Sequence, residues 1–333
     1  MIWLTWRQFR AQFLVAAAVL AAATAFLLIS GLDLRDKYHD LTAGCPDGGC
    51  ADGNQLLDTY TFPYWTGSAL VLLVPALIGA FWGAPLIARE LETGTYRLIW
   101  NQGIGRGRWL VVKLLLVGAA AVTVTGLLSL LVTWFAAPLD RLNHDRFTPL
   151  LFASRGIVPL GYAAFAVALG TCLGLFLRRT VAAMAATLAV FAAVQVLVPL
   201  AVRPHLEQPV HAVVALDAET LKSTRTLGFT GAHGPAAEFV AGIDMPGAWM
   251  LSDTSPVRDS TGRSLTLGTQ PCANGGHEPP SEDCLAHANL HIAVDYQPAD
   301  RYWPFQWIET AIYLALTAAL AALTTWGLRR RLG

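Results

Sequence analysis

Residue types able to do chemistry are few in this chain, and their spacing excludes most reactions. No GxxxxGK[ST] phosphate loop occurs, and neither does an HExxH metal site or a GxSxG nucleophile elbow. The glycine-rich GIGRGRW at 103–109 lacks the preceding strand and the Lys and Ser/Thr that cradle phosphate. All eight histidines fall outside the long apolar runs. His287 and His291 have i,i+4 spacing but no converging motif, so they read as exposed polar side chains and no metal is expected. The apolar runs carry no pair of carboxylates for proton transfer. The chain therefore reads as no enzyme, and any active role must draw its energy from elsewhere.

The densest polar stretch is ARELETGTYRLIWNQGIGRGRW, residues 88–109, which lies between two apolar segments. It holds Arg89, Glu90, Glu92, Arg97, Arg106 and Arg108, broken by glycines at 94, 103, 105 and 107. A charged connector of this kind is where a membrane protein can meet a cytoplasmic partner. Two blander roles compete with docking. Arg106, Arg108 and Lys113 are placed to bind anionic headgroups, each worth about 1 kcal/mol. Arg89 with Glu92, or Glu90 with Arg97, has the spacing to pair within the loop, an exposed contact worth under about 1 kcal/mol.

The elements that position these residues are membrane spans. The 333 residues are 54% hydrophobic and only 14% charged, against about 25% charged in a soluble domain. Mean hydropathy is +0.47. Six runs reach the roughly 20 residues that cross a hydrocarbon core as a helix: Phe13 to Leu32, Thr66 to Ile87, Leu110 to Phe135, Ile157 to Leu177, Val181 to Val202 and Phe305 to Leu328. An even number puts both termini on one side. With the termini inside, the inner segments collect twelve of the 23 cations, namely Arg7, Arg10, Arg89, Arg97, Arg106, Arg108, Lys113, Arg178, Arg179 and Arg329 to Arg331. They carry only two carboxylates, Glu90 and Glu92. The positive-inside rule thus predicts cytoplasmic termini and a multi-pass protein of the plasma membrane. In residues 1–12, MIWLTWRQFRAQ, Trp6 lies on an apolar face with Ile2 and Phe9, while Arg7 and Arg10 lie away from it. With Trp3 also present, this predicts an amphipathic helix lying in the inner interface ahead of the first span. A signal peptide is the alternative, but the apolar run is too long for a signal core and no clear small-x-small cleavage site follows it.

On the outer side, Cys45–Cys50 and Cys272–Cys284 form two short-range pairs, read as disulfides because their spacing fits no four-ligand zinc set. Residues 203–304 make a long outer domain, expected to be rich in loops, with strands at Ser264 to Leu267 and Leu290 to Tyr296 and a short helix at Ala236 to Leu251. In span four, Gly170 and Gly174 are spaced for close helix approach, within the chain or between two chains, with a glycine-lined substrate path as the alternative. At the start of span six, Trp303 and Trp307 mark the interface and Glu309 follows just inside it. A carboxylate there calls for a partner or water, as a depth-fixing group or as part of a substrate passage.

These features together resemble the permease subunits of ABC-2 type transporters. The local match is PLIARELETGTYRLIWNQGIGRGRWLVVKL, with an E-x-x-x-G-T core at Glu90, Gly94 and Thr95. The R-x-R-W at Arg106, Arg108 and Trp109, with MIWLTWRQFR and ADRYWPFQWIET, resembles actinobacterial members. The resemblance implies an all-α integral membrane protein: an interfacial helix at 1–12, spans one to five over 13–202 with a coupling loop at 88–109, an extracellular domain at 203–304, and span six with a basic tail at 305–333. It implies an ATP-driven exporter in which this chain forms the substrate path and pairs with a second permease subunit, as homodimer or heterodimer. A separate cytoplasmic ATPase subunit would bind ATP and Mg, touching Glu90, Glu92, Arg97 and Arg106 to Arg108, with Gly94 letting the chain turn. Membrane lipid is a further partner, and no nucleic acid is expected. The competing function is a non-transporting membrane sensor or scaffold whose extracellular domain binds a ligand; a membrane enzyme with outward histidine chemistry has no motif to support it.

Overall fold

The computed structural model describes residues 2–44, 52–94, 106–143, 146–217, 220, 224–229, 238–243, 245, 247–252, 254–264 and 289–331. They form two units. The first is a helical bundle of Met1–His144, Thr148–Arg203 and Trp303–Gly333, and the second is built from Asp145–Phe147 and Pro204–Tyr302.

In the bundle, α1 runs unbroken over Ile2–Gly44. The expected separate interfacial helix at 1–12 is therefore not a separate element among the described residues. Nothing between Arg10 and Leu20 breaks a helix, since the sequence there is RAQFLVAAAVL. At 1.5 Å per residue, 43 residues extend about 64 Å, twice a hydrocarbon core. The polar end from Asp33 to Asp40 thus projects past the apolar run. Helix α2, Asp52–Ile78, gives way to a π-turn at Gly79–Gly83 and then to α3, Pro85–Thr93. The cause of the widened turn is Pro85, which offers no N–H and whose ring crowds the carbonyl four residues back. Ala84 instead donates to the Gly79 carbonyl at 2.9 Å. Gly94, with φ of 73°, ends α3 in the left-handed conformation that stops helices.

The remaining helices are α4, Arg106–Asn143; the short α5, Pro149–Ala153; α6, Val158–Leu177; α7, Thr180–Leu197, extended by a second π-turn at Val198–Val202; and α8, Tyr302–Arg331. Among the described residues, six helical stretches are long and apolar enough to cross a membrane. Helix α6 is the axis: 72% of its span is buried, against 22% for the spans of α1, α7 and α8. Its small residues make this possible. A methyl on Gly170 would lie 2.2 Å from the Gly79 carbonyl oxygen, and one on Gly174 would lie 2.5 Å from the Ala84 carbonyl oxygen. The glycine face therefore receives the π-turn of the same chain. Thr171 sits in this crossing and donates to the Val167 carbonyl at 2.7 Å.

The helical bundle is that of the expected all-α membrane protein, but the second unit is a sheet where a loop-rich outer domain was expected. It contains an antiparallel sheet of β1 (Val210–Ala215), β2 (Thr224–Phe229), β3 (Glu238–Ile243), β4 (Trp249–Met250), β5 (Thr254–Arg258) and β6 (His291–Gln297). The order is β1-β6-β5-β3-β2, with β4 also paired to β6. Leu216, Val257, Leu290, Ile292 and Val294 form its core. The alternation in LHIAVDY is that of β6, whereas the helix expected at Ala236 to Leu251 is instead β3 and β4. Val240, Gly242 and Ile243 disfavour a helix, and β3 gains antiparallel partners on both sides.

Candidate functional site

Helix α3 is amphipathic. Leu86, Ile87 and Glu90 share its buried face, while Arg89, Glu92 and Thr93 are exposed. The buried face packs in a cluster of Ile87, Trp109, Leu110, Leu175 and Leu328, so the ends of α3, α4, α6 and α8 meet there. Within this apolar setting Glu90 Oε1 accepts from Lys113 Nζ of α4, and both side chains are about nine-tenths buried. Lys113 Nζ also lies 4.4 Å from the centre of the Trp109 ring, a cation–π contact that offsets part of its lost hydration. The second carboxylate oxygen of Glu90, Oε2, is buried without a hydrogen-bond partner.

Glu92 reaches a different helix. Its Oε2 accepts from the Thr180 backbone N–H at 3.0 Å and from the Thr180 hydroxyl at 2.7 Å. Thr180 opens α7, where unpaired N–H groups and the positive end of the helix dipole favour a carboxylate. Two carboxylates two residues apart thus tie one short helix to two different spans. Glu90 is therefore an internal brace and not a surface carboxylate of the kind expected for docking. Arg108 is exposed. Thr95 and Arg97 lie outside the described residues, as do the side chains of Arg106, Trp3, Trp6, Arg7 and Arg10.

The other end of the bundle holds a second polar assembly. Lys113 and Asp140 are both on α4, 27 residues and about 40 Å apart. There Arg155 donates to both Asp140 oxygens, at 2.6 and 2.8 Å. Glu309 of α8 is fully buried. It accepts from Arg203 Nε at 2.8 Å, Arg203 Nη2 at 3.0 Å and the Tyr162 hydroxyl at 2.7 Å. Arg203 also donates to the Pro149 carbonyl at 2.9 Å. Gln306, one turn before Glu309, accepts from the Ile157 and Val158 N–H groups at 3.0 and 3.1 Å and donates to the Phe152 carbonyl at 3.1 Å. Gly156 is required beside it, because its φ is 69° and an added methyl would lie 2.6 Å from Gln306 Oε1. Of the three residues expected at this helix start, Glu309 joins the assembly, and Trp303 and Trp307 are exposed on α8.

The sequence reading passed over Arg203, Arg155, Lys113 and Thr180 as partners. A signal was present for Lys113, whose charge interrupts the apolar run of span three. Among the described residues no group of three His, Cys, Asp or Glu is placed to hold a metal. Cys172 is free and buried; Cys45, Cys50, Cys272 and Cys284 lie outside the described residues.

A bundle of six spans, five of them around a close-packed central one, with the charged groups of the described residues at the two ends, is that of a multi-pass membrane protein. Residues 17–203, more than half the chain, match the family described as ABC-2 membrane transporter related, and the chain belongs to that family. No curated protein and no solved structure matches it.

Proposed function

We propose that this chain is the membrane-spanning subunit of an ATP-driven exporter, coupled through α3 and the connector that follows it to a separate cytoplasmic ATPase subunit. The observation that carries this reading is the double tie of α3, by Glu90 to α4 and by Glu92 to α7. A push on the connector is thereby delivered to spans two, three and five together. The family supports an ATPase partner in general. ATP and Mg belong to that partner, and a second permease subunit completes the path. The excess of Lys and Arg around the connector and both termini supports a cytoplasmic position for this end.

Burial supports a division of roles within the connector. Arg89 and Arg108, both exposed, are the docking contacts. Glu90 and Glu92 transmit the motion. The test is co-purification with an ATPase subunit carrying GxxxxGK[ST]. Arg89→Glu with Arg108→Glu abolishes co-purification, whereas Lys113→Met leaves it and removes ATP-dependent transport. Retained binding and transport in the double arginine variant would reject docking at this face.

A further inference from the structure

Between α1, α2 and α4 lies a cavity of about 430 Å³. Ten described residues line it and every one is apolar; Val19, Leu77, Phe81, Trp82, Val124 and Leu128 represent the three helices and the first π-turn. Val19, Leu77 and Phe81 remain 45 to 49% exposed, so the cavity opens sideways onto the surface that faces lipid. Along α4, Val124 lies about 17 Å from Lys113 and about 24 Å from Asp140. The cavity is therefore at mid-bilayer depth.

Two properties identify what fills it. Water is disfavoured, because an almost wholly apolar lining offers it few hydrogen bonds. A membrane helix fits poorly: one turn, 5.4 Å of a cylinder 10–12 Å across, itself displaces about 420–610 Å³. A span laid over the side opening would need several turns to bury a stable contact and would enter the cavity with side chains only. A single extended hydrocarbon chain has no such minimum, and its methyl end lies at mid-bilayer. We propose that this cavity is a binding site for one acyl chain of a bilayer phospholipid, seated against the π-turn that leads into α3. The proposal stands apart from the transport reading, since binding needs neither ATPase nor turnover.

The test uses the full chain in nanodiscs of phosphatidylcholine that include a tracer of the same lipid with a diazirine at the methyl end of one chain. After irradiation, peptide mass spectrometry is expected to find label concentrated on Leu77 to Trp82 and Val124 to Leu128, above that on Val190 and Leu314, exposed residues at similar depth on α7 and α8. Val124→Phe lowers cavity labelling about tenfold by filling the space, without changing label at Val190. Val19→Phe, on the more exposed wall, provides the same reading should Val124→Phe fail to fold. Leu115→Phe, on the outward side of α4, leaves cavity labelling intact. Label that merely follows exposure, or that persists in both filled variants, overturns the site. So does a disulfide between two copies through Val19→Cys, which would give the cavity to a second copy.

Discussion

The two ends of the helical bundle solve the same problem, a carboxylate inside a membrane protein, in different ways. At one end Glu309 is surrounded: a guanidinium fork and a tyrosine hydroxyl give it three hydrogen bonds, and Arg203 spends a further N–H on a backbone carbonyl. At the other, Glu90 has one lysine, with Oε2 buried and unbonded. A planar fork fixes orientation, while an ammonium on a four-carbon stem fixes only proximity. The first arrangement is a rigid clasp joining the chain that leaves α7 to the start of α8. The second holds its carboxylate by proximity alone, on the helix that the proposed coupling would move. The difference teaches that equal burial can come with unequal constraint, and it makes the Glu90 pair the joint to test for motion.

The clasp gives the largest expected effect. Arg203→Met leaves a buried carboxylate without its cation, and Glu309→Leu leaves a buried guanidinium; each is expected to cost about 3–5 kcal/mol. The double variant R203M/E309L removes both charges and recovers most of that loss. Thermal unfolding of the purified protein measures all three, and a double variant no better than the singles would show that the clasp is not a coupled pair. Next comes the helix crossing. Gly170→Val drives a side chain into the Gly79 carbonyl and Ala84 amide, backbone atoms that cannot rotate away, and is expected to cost at least about 1–3 kcal/mol. Gly118, whose added methyl meets nothing within 4 Å, is the control: Gly118→Ala gains up to about 1 kcal/mol through helix propensity.

Legibility in the sequence follows the range of the interaction. The six spans were readable because length and hydropathy are local properties, and the spacing of Gly170 and Gly174 announced a close contact without naming the π-turn it receives. Glu309 stood out as a carboxylate inside a span. Its partner did not, because Arg203 lies 106 residues earlier and directly ends an apolar run, where an arginine looks like an ordinary interfacial anchor. Glu90 was readable as charged, but its burial needed the helical period: Leu86 and Ile87, four and three residues earlier, share its face. Strand β6 was visible from its alternation. Strand β3 was not, because Glu-Phe-Val-Ala-Gly-Ile has no clean period and its identity comes from partners in β2 and β5.

The connector end carries the smaller effects on stability and the larger ones on coupling. Glu90→Gln keeps an oxygen that can accept from Lys113 but removes the charge that balances the ammonium, and is expected to cost about 1.5–3 kcal/mol, less than the clasp variants, which lose hydrogen bonds and charge pairing together. K113M/E90L, which removes both charges, restores stability but not ATP-dependent transport if the joint transmits force. Restored transport in that double variant would reduce the pair to packing and erase the functional side of the contrast.

Glu92 sharpens the argument furthest, because its effect on folding is smallest. Its contact with Thr180 is exposed and resembles a helix cap, so Glu92→Ala or Thr180→Val is expected to cost no more than about 1 kcal/mol. The exposed α3 surface that carries Arg89 is unchanged, so ATPase binding should persist. What is lost is the tie between α3 and α7, and transport per ATP hydrolysed should fall while binding and thermal stability stay near those of the unaltered protein. A variant that keeps its transport ratio would show that α3 delivers motion through α4 alone. A folding defect as large as that of the Arg203 variants would mean that Glu92 belongs with the rigid clasp and not with the movable joint.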